Sequence, residues 1–228
     1  MGEIIILPET PKDPISLIGR RAGICYGTDI SDPKKNYQRG LDCIKSRHGR
    51  ALEYVDIHAH IKGYSAKVIR EWYTHIGGAP TRLQESTRYI DYADFDYITP
   101  PTIEADPKAL AIYDKAMSDI KAAIEALKSI GVPKEDRSML LPFGMATGIV
   151  DKRNVRNVMD MSRQRQCNRA FWEYRDDLFP DYINRLEAYS SEWYTLSELI
   201  IHPKCVELHY CPEAKGCGMY PPYPGITP

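Results

Sequence analysis

The sequence predicts an α+β fold, a central twisted, mainly antiparallel sheet flanked by long helices in a single domain. Three observations carry this. Residues 55–62 alternate apolar and polar side chains, the period of a half-buried strand. Residues 107–130 repeat apolar positions at three and four, the period of a helix. Strand-like segments come early, and helix-like segments dominate afterwards.

Taken in order, residues 3–7 form a short apolar strand that ends in the turn-rich run PETPKDP. Residues 15–26 read as a helix running into Gly27. In the next strand Val55, Ile57, Ala59 and Ile61 share one face, and Asp56, His58, His60 and Lys62 the other. Gly63 and Tyr64 are expected to break it. Ser65 then caps a helix whose stripe is Val68, Ile69, Trp72 and Tyr73. The loop THIGGAPTRLQESTRY follows, and within it Thr81 to Gln84 fit a capping box. That predicts a helical turn whose first amides can hold an anion. The helix at 107–130 carries Leu110, Tyr113, Met117, Ile120, Ile124 and Leu127 on its stripe, and Gly131 and Pro133 end it. Two more long helices are predicted over residues 154–178 and 182–201. Residues 202–228 are Pro/Gly-rich and irregular.

The 228 residues suffice to bury a core without staples. The net charge of −1 argues against a dedicated binder of nucleic acid or of membrane surfaces. No apolar run approaches the roughly 20 residues of a membrane span. The start MGEIIILPET lacks the basic region of a signal peptide. Six cysteines in a core-rich chain of this length fit a reducing cytoplasm, so a cytoplasmic protein is expected.

The segment after residue 154 breaks the rule for a buried face. Val158, Met161, Arg165, Arg169 and Trp172 fall on one side of a 3.6-residue helix. Two arginines therefore sit on a stripe suited to burial, and each needs an anion there. A structural carboxylate is one reading. A bound phosphate or an electron-rich base is the other, and it suits the planar guanidinium fork. Residues 152–169 hold six basic side chains and one acid, Asp160, an excess that local pairs do not satisfy. A nucleic-acid binder using this basic segment is a rival reading. Phosphate-tracking side chains, however, belong on an exposed face.

In the tail, His202, Cys205, His209, Cys211 and Cys217 raise zinc as a second rival. Their spacing lacks a Cys-x2-Cys pair, so no metal site is expected and plain thiols are the simpler reading.

The ordered run LEYVDIHAHIKG, VIREWYTHIGGAPTRLQESTRY, LLPFGM and KRNVRNVMDMSRQRQCNRAFWEY resembles the flavin-dependent thymidylate synthases over roughly residues 15–180. The shared features are a strand ending in a basic, His-containing signature, a Ser-x-Arg-Tyr element, and Asn-x-Arg-(x)8-Arg leading to Trp-Glu. The resemblance implies a catalytic domain over residues 1–201, with 202–228 as a tail. It implies FAD as cofactor, with NADPH and methylenetetrahydrofolate as co-substrates, and reductive methylation of dUMP. It implies a homotetramer with active sites at subunit interfaces, and no cysteine nucleophile.

By the same resemblance Gln84, Ser86, Arg88 and Arg137 would bind substrate. Arg165 would contact the uracil and act in catalysis. Glu53, His75, Asn154, Arg156 and Arg169 would line the FAD site. Three features depart from the pattern. Thr74-His75-Ile76 stands for Arg-His-Arg, and the loop to Ser86 is about two residues longer. Arg169 stands where the family usually has histidine. Ser138 takes the place of an arginine, with Arg137 one residue off. These departures leave UMP or dCMP open as substrates, and a hydroxymethylated product as well.

Overall fold

Four strands build the sheet: β1 (Glu3–Ile6), β2 (Asp56–Ser65), β3 (Thr81–Gln84) and β4 (Ala146–Asn154), in the order β1-β2-β4-β3. The computed structural model describes residues 2–223 and Gly225. The strands are antiparallel and the chain forms one α+β domain, as the sequence predicts. On β2 the expected alternation holds, with Val55, Ile57, Ala59 and Ile61 fully buried. Each buried Val or Ile contributes roughly 1.5–3 kcal/mol relative to exposure.

Gly63 and Tyr64 do not end this strand. Gly63 takes φ 74 inside it, and the alternation slips so that Tyr64 and Ser65 are both buried. The strand kinks as at a bulge and runs on to Ser65. The expected helical turn at Thr81 to Gln84 is instead strand β3. Glu85 N donates to Gly148 O just beyond it, so sheet pairing wins over the capping pattern. Strand β4 was not anticipated, because its polarity is inverted. Asp151 and Arg153 are buried, while Val150 before them and Lys152 between them are exposed. A period-two search for apolar residues finds nothing there.

Among the described residues seven α-helices precede β4: α1 (Pro14–Cys25), α2 (Pro33–Lys45), α3 (Gly49–Leu52), α4 (Ala66–Tyr73), α5 (Pro101–Glu104), α6 (Pro107–Ser129) and α7 (Lys134–Arg137). Helix α4 begins as expected, with Ser65 Oγ accepting from Val68 N. Pro107 opens α6, Asp106 caps it by accepting from Lys108 N, and Gly131 at φ 84 ends it.

Among the described residues the chain gathers into two compact units, one of residues 2–3, 61–74 and 83–150, the other of residues 4–60, 75–82 and 151–223. In the first, Met117 and Ile124 of α6 pack with Phe95 and Met145, flanked by Tyr97 and Tyr113. In the second, α1 packs on α2, and of two later helices that pack on each other the second also packs on α1.

Those later helices correct two expectations. The predicted helix at 154–178 is α8 (Val155–Arg165), then a turn at 166–171, then π-helical turns over Glu173–Leu178. Pro180 explains the widened turns: it offers no N–H to the Asp176 carbonyl, and its ring crowds that oxygen. The predicted helix at 182–201 is two pieces, α9 (Phe179–Tyr189) and α10 (Ser191–Ile200). Ser190 leaves the helical region and caps α10 by accepting from Trp193 N at 3.2 Å. Helix α10 is then tied to the chain start. Trp193 Nε1 donates to Pro11 O, and Glu192 accepts from Ser16 N and Oγ. The tail is less irregular than expected, since α11 (Lys204–Leu208) lies in it. Its final residues, 226–228, and Pro224 fall outside the described residues. Among the described residues no helix is long and apolar enough to cross a membrane.

Candidate functional site

The His-Gly-Gly loop is anchored from beneath by a buried polar chain. Arg153 on β4 is 1% exposed. Its Nε and Nη2 donate to the two carboxylate oxygens of Asp151 at 2.5 and 2.7 Å, and its Nη1 donates to Asn157 Oδ1 at 2.8 Å. Burial opposes the charge on Arg153, but the paired carboxylate overrides it and holds the guanidinium protonated. Asn157 passes the chain on, its Nδ2 donating to Gly77 O at 2.6 Å and to His75 O at 3.5 Å. Asn154 caps α8 by accepting from Asn157 N at 2.9 Å. Gly78 meets this cap from the other side. It sits at φ 73, and a Cβ there would lie 2.3 Å from Asn154 Nδ2. A side chain there would have to displace the Asn154 amide and hold a strained backbone.

This scaffold sets the environment of His75. Its Nε2 accepts from Arg165 Nε at 2.9 Å. An acceptor nitrogen carries no proton, so the imidazole is neutral. Burial first, then the charges of Arg165 and Arg153, hold its pKa down at about 4. Arg165 also lies over the ring of Tyr174, 4.8 Å from the centroid, and Tyr174 meets His75 edge-on. Of the predicted stripe, Val158 and Met161 are fully buried and Arg165 is half-buried. Arg169 is not on it. The helix ends before Arg169, whose side chain is 57% exposed and pairs with Glu213 at 2.9 Å.

Much of the basic excess of residues 152–169 is met by carboxylates from distant segments, with one local pair. Lys152 pairs with Asp56, Arg156 with Glu53, and Arg163 with both Asp160 and Glu207. Sequence spacing shows only local acids, so these partners were invisible to it. Glu207 takes Arg163 through two hydrogen bonds of 3.0 Å. Burial works to raise its pKa, but the Arg163 bonds and the Arg163 and Arg47 charges prevail and keep it low.

A cavity of about 1030 Å³ opens beside α8. Arg163, Arg165, Arg169, Lys204 and Lys215 line it, against the acids Asp160 and Glu213. His75, Glu53, Asn154, Arg156, Arg165 and Arg169 therefore all belong to the second unit, and of these Arg165 and Arg169 line the cavity.

The predicted substrate residues belong to the first unit. Gln84 is exposed on β3. Ser86 Oγ accepts from Arg88 N at 3.3 Å, and Arg88 Nε donates to Glu135 at 2.9 Å. Arg137 is 8% exposed, with Nη1 on Val132 O and Nη2 on Asp91. Asp151, Arg153, Asn157 and Tyr174 were missed by sequence reasoning. The available signal was the pairing of Asn154 with Asn157, a cap followed by a second amide one turn on.

A neutral imidazole holding an arginine beside a basic cavity, on an α+β frame, is an arrangement suited to anions. The family model described as thymidylate synthase complementing protein matches residues 7–177, and the chain belongs to that family. It is 30% identical to the flavin-dependent thymidylate synthase of Nitratidesulfovibrio vulgaris, covering 95% of this chain and 94% of the relative. It is 26% identical to that of Clostridium tetani, over 96% and 94%. Among solved structures, thymidylate synthase X from Helicobacter pylori, determined with FAD and dUMP, shares the fold. The TM-score is 0.65 at 16% identity, over 89% of this chain and 100% of that one.

Proposed function

We propose that this chain is a flavin-dependent thymidylate synthase that methylates dUMP reductively to dTMP. Methylenetetrahydrofolate serves as carbon donor and NADPH as reductant. The observation that carries the reading is the contact between His75 and Arg165 at the edge of the basic cavity.

Two features fit FAD and a nucleotide. The cavity wall offers five basic side chains, a donor set suited to phosphate groups. The junction of Gly78 and Asn154 is a close-packed cradle that a Cβ would fill. Bound flavin supplies the hydride chemistry, and the protein supplies orientation and electrostatics. Neutral His75 accepts the Nε–H of Arg165 and so fixes the guanidinium plane. In our reading that plane meets the uracil and draws charge from the ring as it is reduced. Glu53, through Arg156, and Asn154, through the loop, hold the flavin side of the site, and Arg169 adds a charge at the cavity. Gln84, Ser86, Arg88 and Arg137 take the nucleotide.

The same reading has residues 1–201 as the catalytic domain with a tail over 202–228, a cytoplasmic location, and a homotetramer with interfacial sites. Leu83, Tyr89, Met139 and Phe143 are each more than half exposed, the kind of surface that marks a subunit contact.

A visible spectrum of the purified protein, with and without added FAD and dUMP, tests it. The expected result is a flavin band that co-purifies or appears on reconstitution and shifts with dUMP. A protein that stays colourless with added FAD overturns the reading.

A further inference from the structure

Tyr174 touches both partners of the His75–Arg165 contact. The Arg165 guanidinium lies over its ring, 4.8 Å from the centroid. The His75 imidazole meets the same ring edge-on, at 6.1 Å and 69°. A cation over an aromatic face is drawn to the negative side of the ring quadrupole, and loss of water around the pair strengthens the attraction. Tyr174 is fully buried and Arg165 half-buried. The two contacts constrain different movements. The hydrogen bond to His75 aligns the guanidinium through its Nε edge. The ring supports its face, which keeps the group from tilting about that bond.

The backbone is built to put the ring there. Tyr174 lies in the π-helical turns over Glu173–Leu178. In an ordinary α-helix, side chains five residues apart point about 140° away from each other. Turns widened to i→i+5 bring them onto one side. Tyr174 and Phe179 are such a pair, with ring centroids 6.0 Å apart at 35°. Phe179 stacks in turn on Tyr182, at 6.5 Å and 19°, and both are fully buried. The stack roots Tyr174 in the core, so a shift of its ring disturbs close-packed aromatic neighbours.

We propose that Tyr174 is a positioning residue for the reaction, whose ring face holds the Arg165 guanidinium in the orientation that meets the pyrimidine. This rests on the reading above in which Arg165 contacts the uracil. Tyr174 acts through Arg165 and exchanges no proton or electron. The ring face is the working part, so phenylalanine can replace it and an aliphatic side chain cannot.

The test is steady-state formation of dTMP by wild type, Tyr174→Phe and Tyr174→Leu, with kcat expressed per bound flavin and FAD affinity measured by titration. Counting per bound flavin removes unfolded chains from the comparison. Tyr174→Leu should lose about 10–100-fold in kcat, the scale of misplacing a catalytic group by ~1 Å. Its KM for dUMP and its FAD affinity should move far less. Tyr174→Phe should recover most of the lost rate. Where the leucine protein does not fold, Tyr174→Met carries the same expectation, because its flexible chain fills the space without an aromatic face. Three outcomes overturn the proposal: a wild-type kcat without the ring, a phenylalanine variant as slow as the aliphatic one, or FAD affinity that falls in step with kcat, which makes Tyr174 merely structural. A wild type that forms no dTMP is instead a failure of the functional reading. The Arg165 Nε–H resonance, identified in nitrogen-edited NMR spectra by its absence from Arg165→Lys, then still reports on the ring. It should be sharp and shifted by its hydrogen bond in wild type and Tyr174→Phe, and broadened or lost in the aliphatic variant. An unchanged resonance there overturns the proposal without recourse to activity.

Discussion

Arg165 Nε donates to His75 Nε2 across 2.9 Å, so a permanent cation is steered by an imidazole that must stay neutral. Each residue depends on the other. Burial, with the cation's help, keeps His75 unprotonated, and His75 sets the plane of the cation. Arg165→Ala should therefore remove both a charge and its alignment. We expect a loss of about 10²–10³-fold in kcat, with a far smaller change in FAD affinity by titration. Arg165→Lys keeps the charge without the fork and should also fail. Methylation that survives the alanine change would mean Arg165 has another role.

The pH dependence follows from the same contact. The folded pKa of His75 is about 4, against an ordinary value near 6.5, so the unfolded chain binds more protons between those values. Stability should be fully present above pH about 6.5 and lost as pH falls toward 4. The His75→Gln variant offers an acceptor that does not titrate in this range. A plot of Tm against pH should be flatter for it than for wild type across that window. Parallel curves for the two proteins would remove His75 from the acid response.

Much of the frame was legible in the sequence because it rests on regular periods. The alternation of β2 and the stripe of α6 each report one buried face, and one buried face is what periodicity encodes. The failures share a cause. On β4 the buried positions are Asp151 and Arg153, which satisfy each other, so burial left no apolar trace. In the basic segment the partner acids lie far away in the chain, at Glu53, Asp56, Glu207 and Glu213. His75 and Arg165 were named as site residues from a resemblance to a family. That the two touch, and that a neutral imidazole is required, depends on how far α8 runs before it breaks.

Gly78 offers a direct test of the cradle. Alanine there must adopt φ 73 and also meet Asn154 Nδ2. The backbone strain alone costs about 1–3 kcal/mol. Gly78→Ala should lower Tm and weaken FAD binding. Adding Asn154→Ala should relieve the clash but not the strain, so the double variant should recover part of the loss. A Gly78→Ala protein with wild-type stability would mean the loop can move off the α8 cap at no cost.

The Asp151–Arg153 pair separates scaffold from chemistry. Both side chains are fully buried, and Arg153 also holds Asn157, which holds the carbonyls of His75 and Gly77. Asp151→Asn removes one charge and strands the other, at a cost of about 3–5 kcal/mol by urea denaturation. Replacing both with apolar side chains, as in Asp151→Leu with Arg153→Met, removes the desolvation penalty together with the pair. Stability should return to within about 1–2 kcal/mol of wild type, because such swaps are commonly near neutral. The loop would not return with it, since Asn157 Oδ1 loses its donor and one link to His75 is gone. The double variant should therefore fold well and bind FAD poorly. If it binds FAD as tightly as wild type, the polar chain beneath the loop serves folding alone.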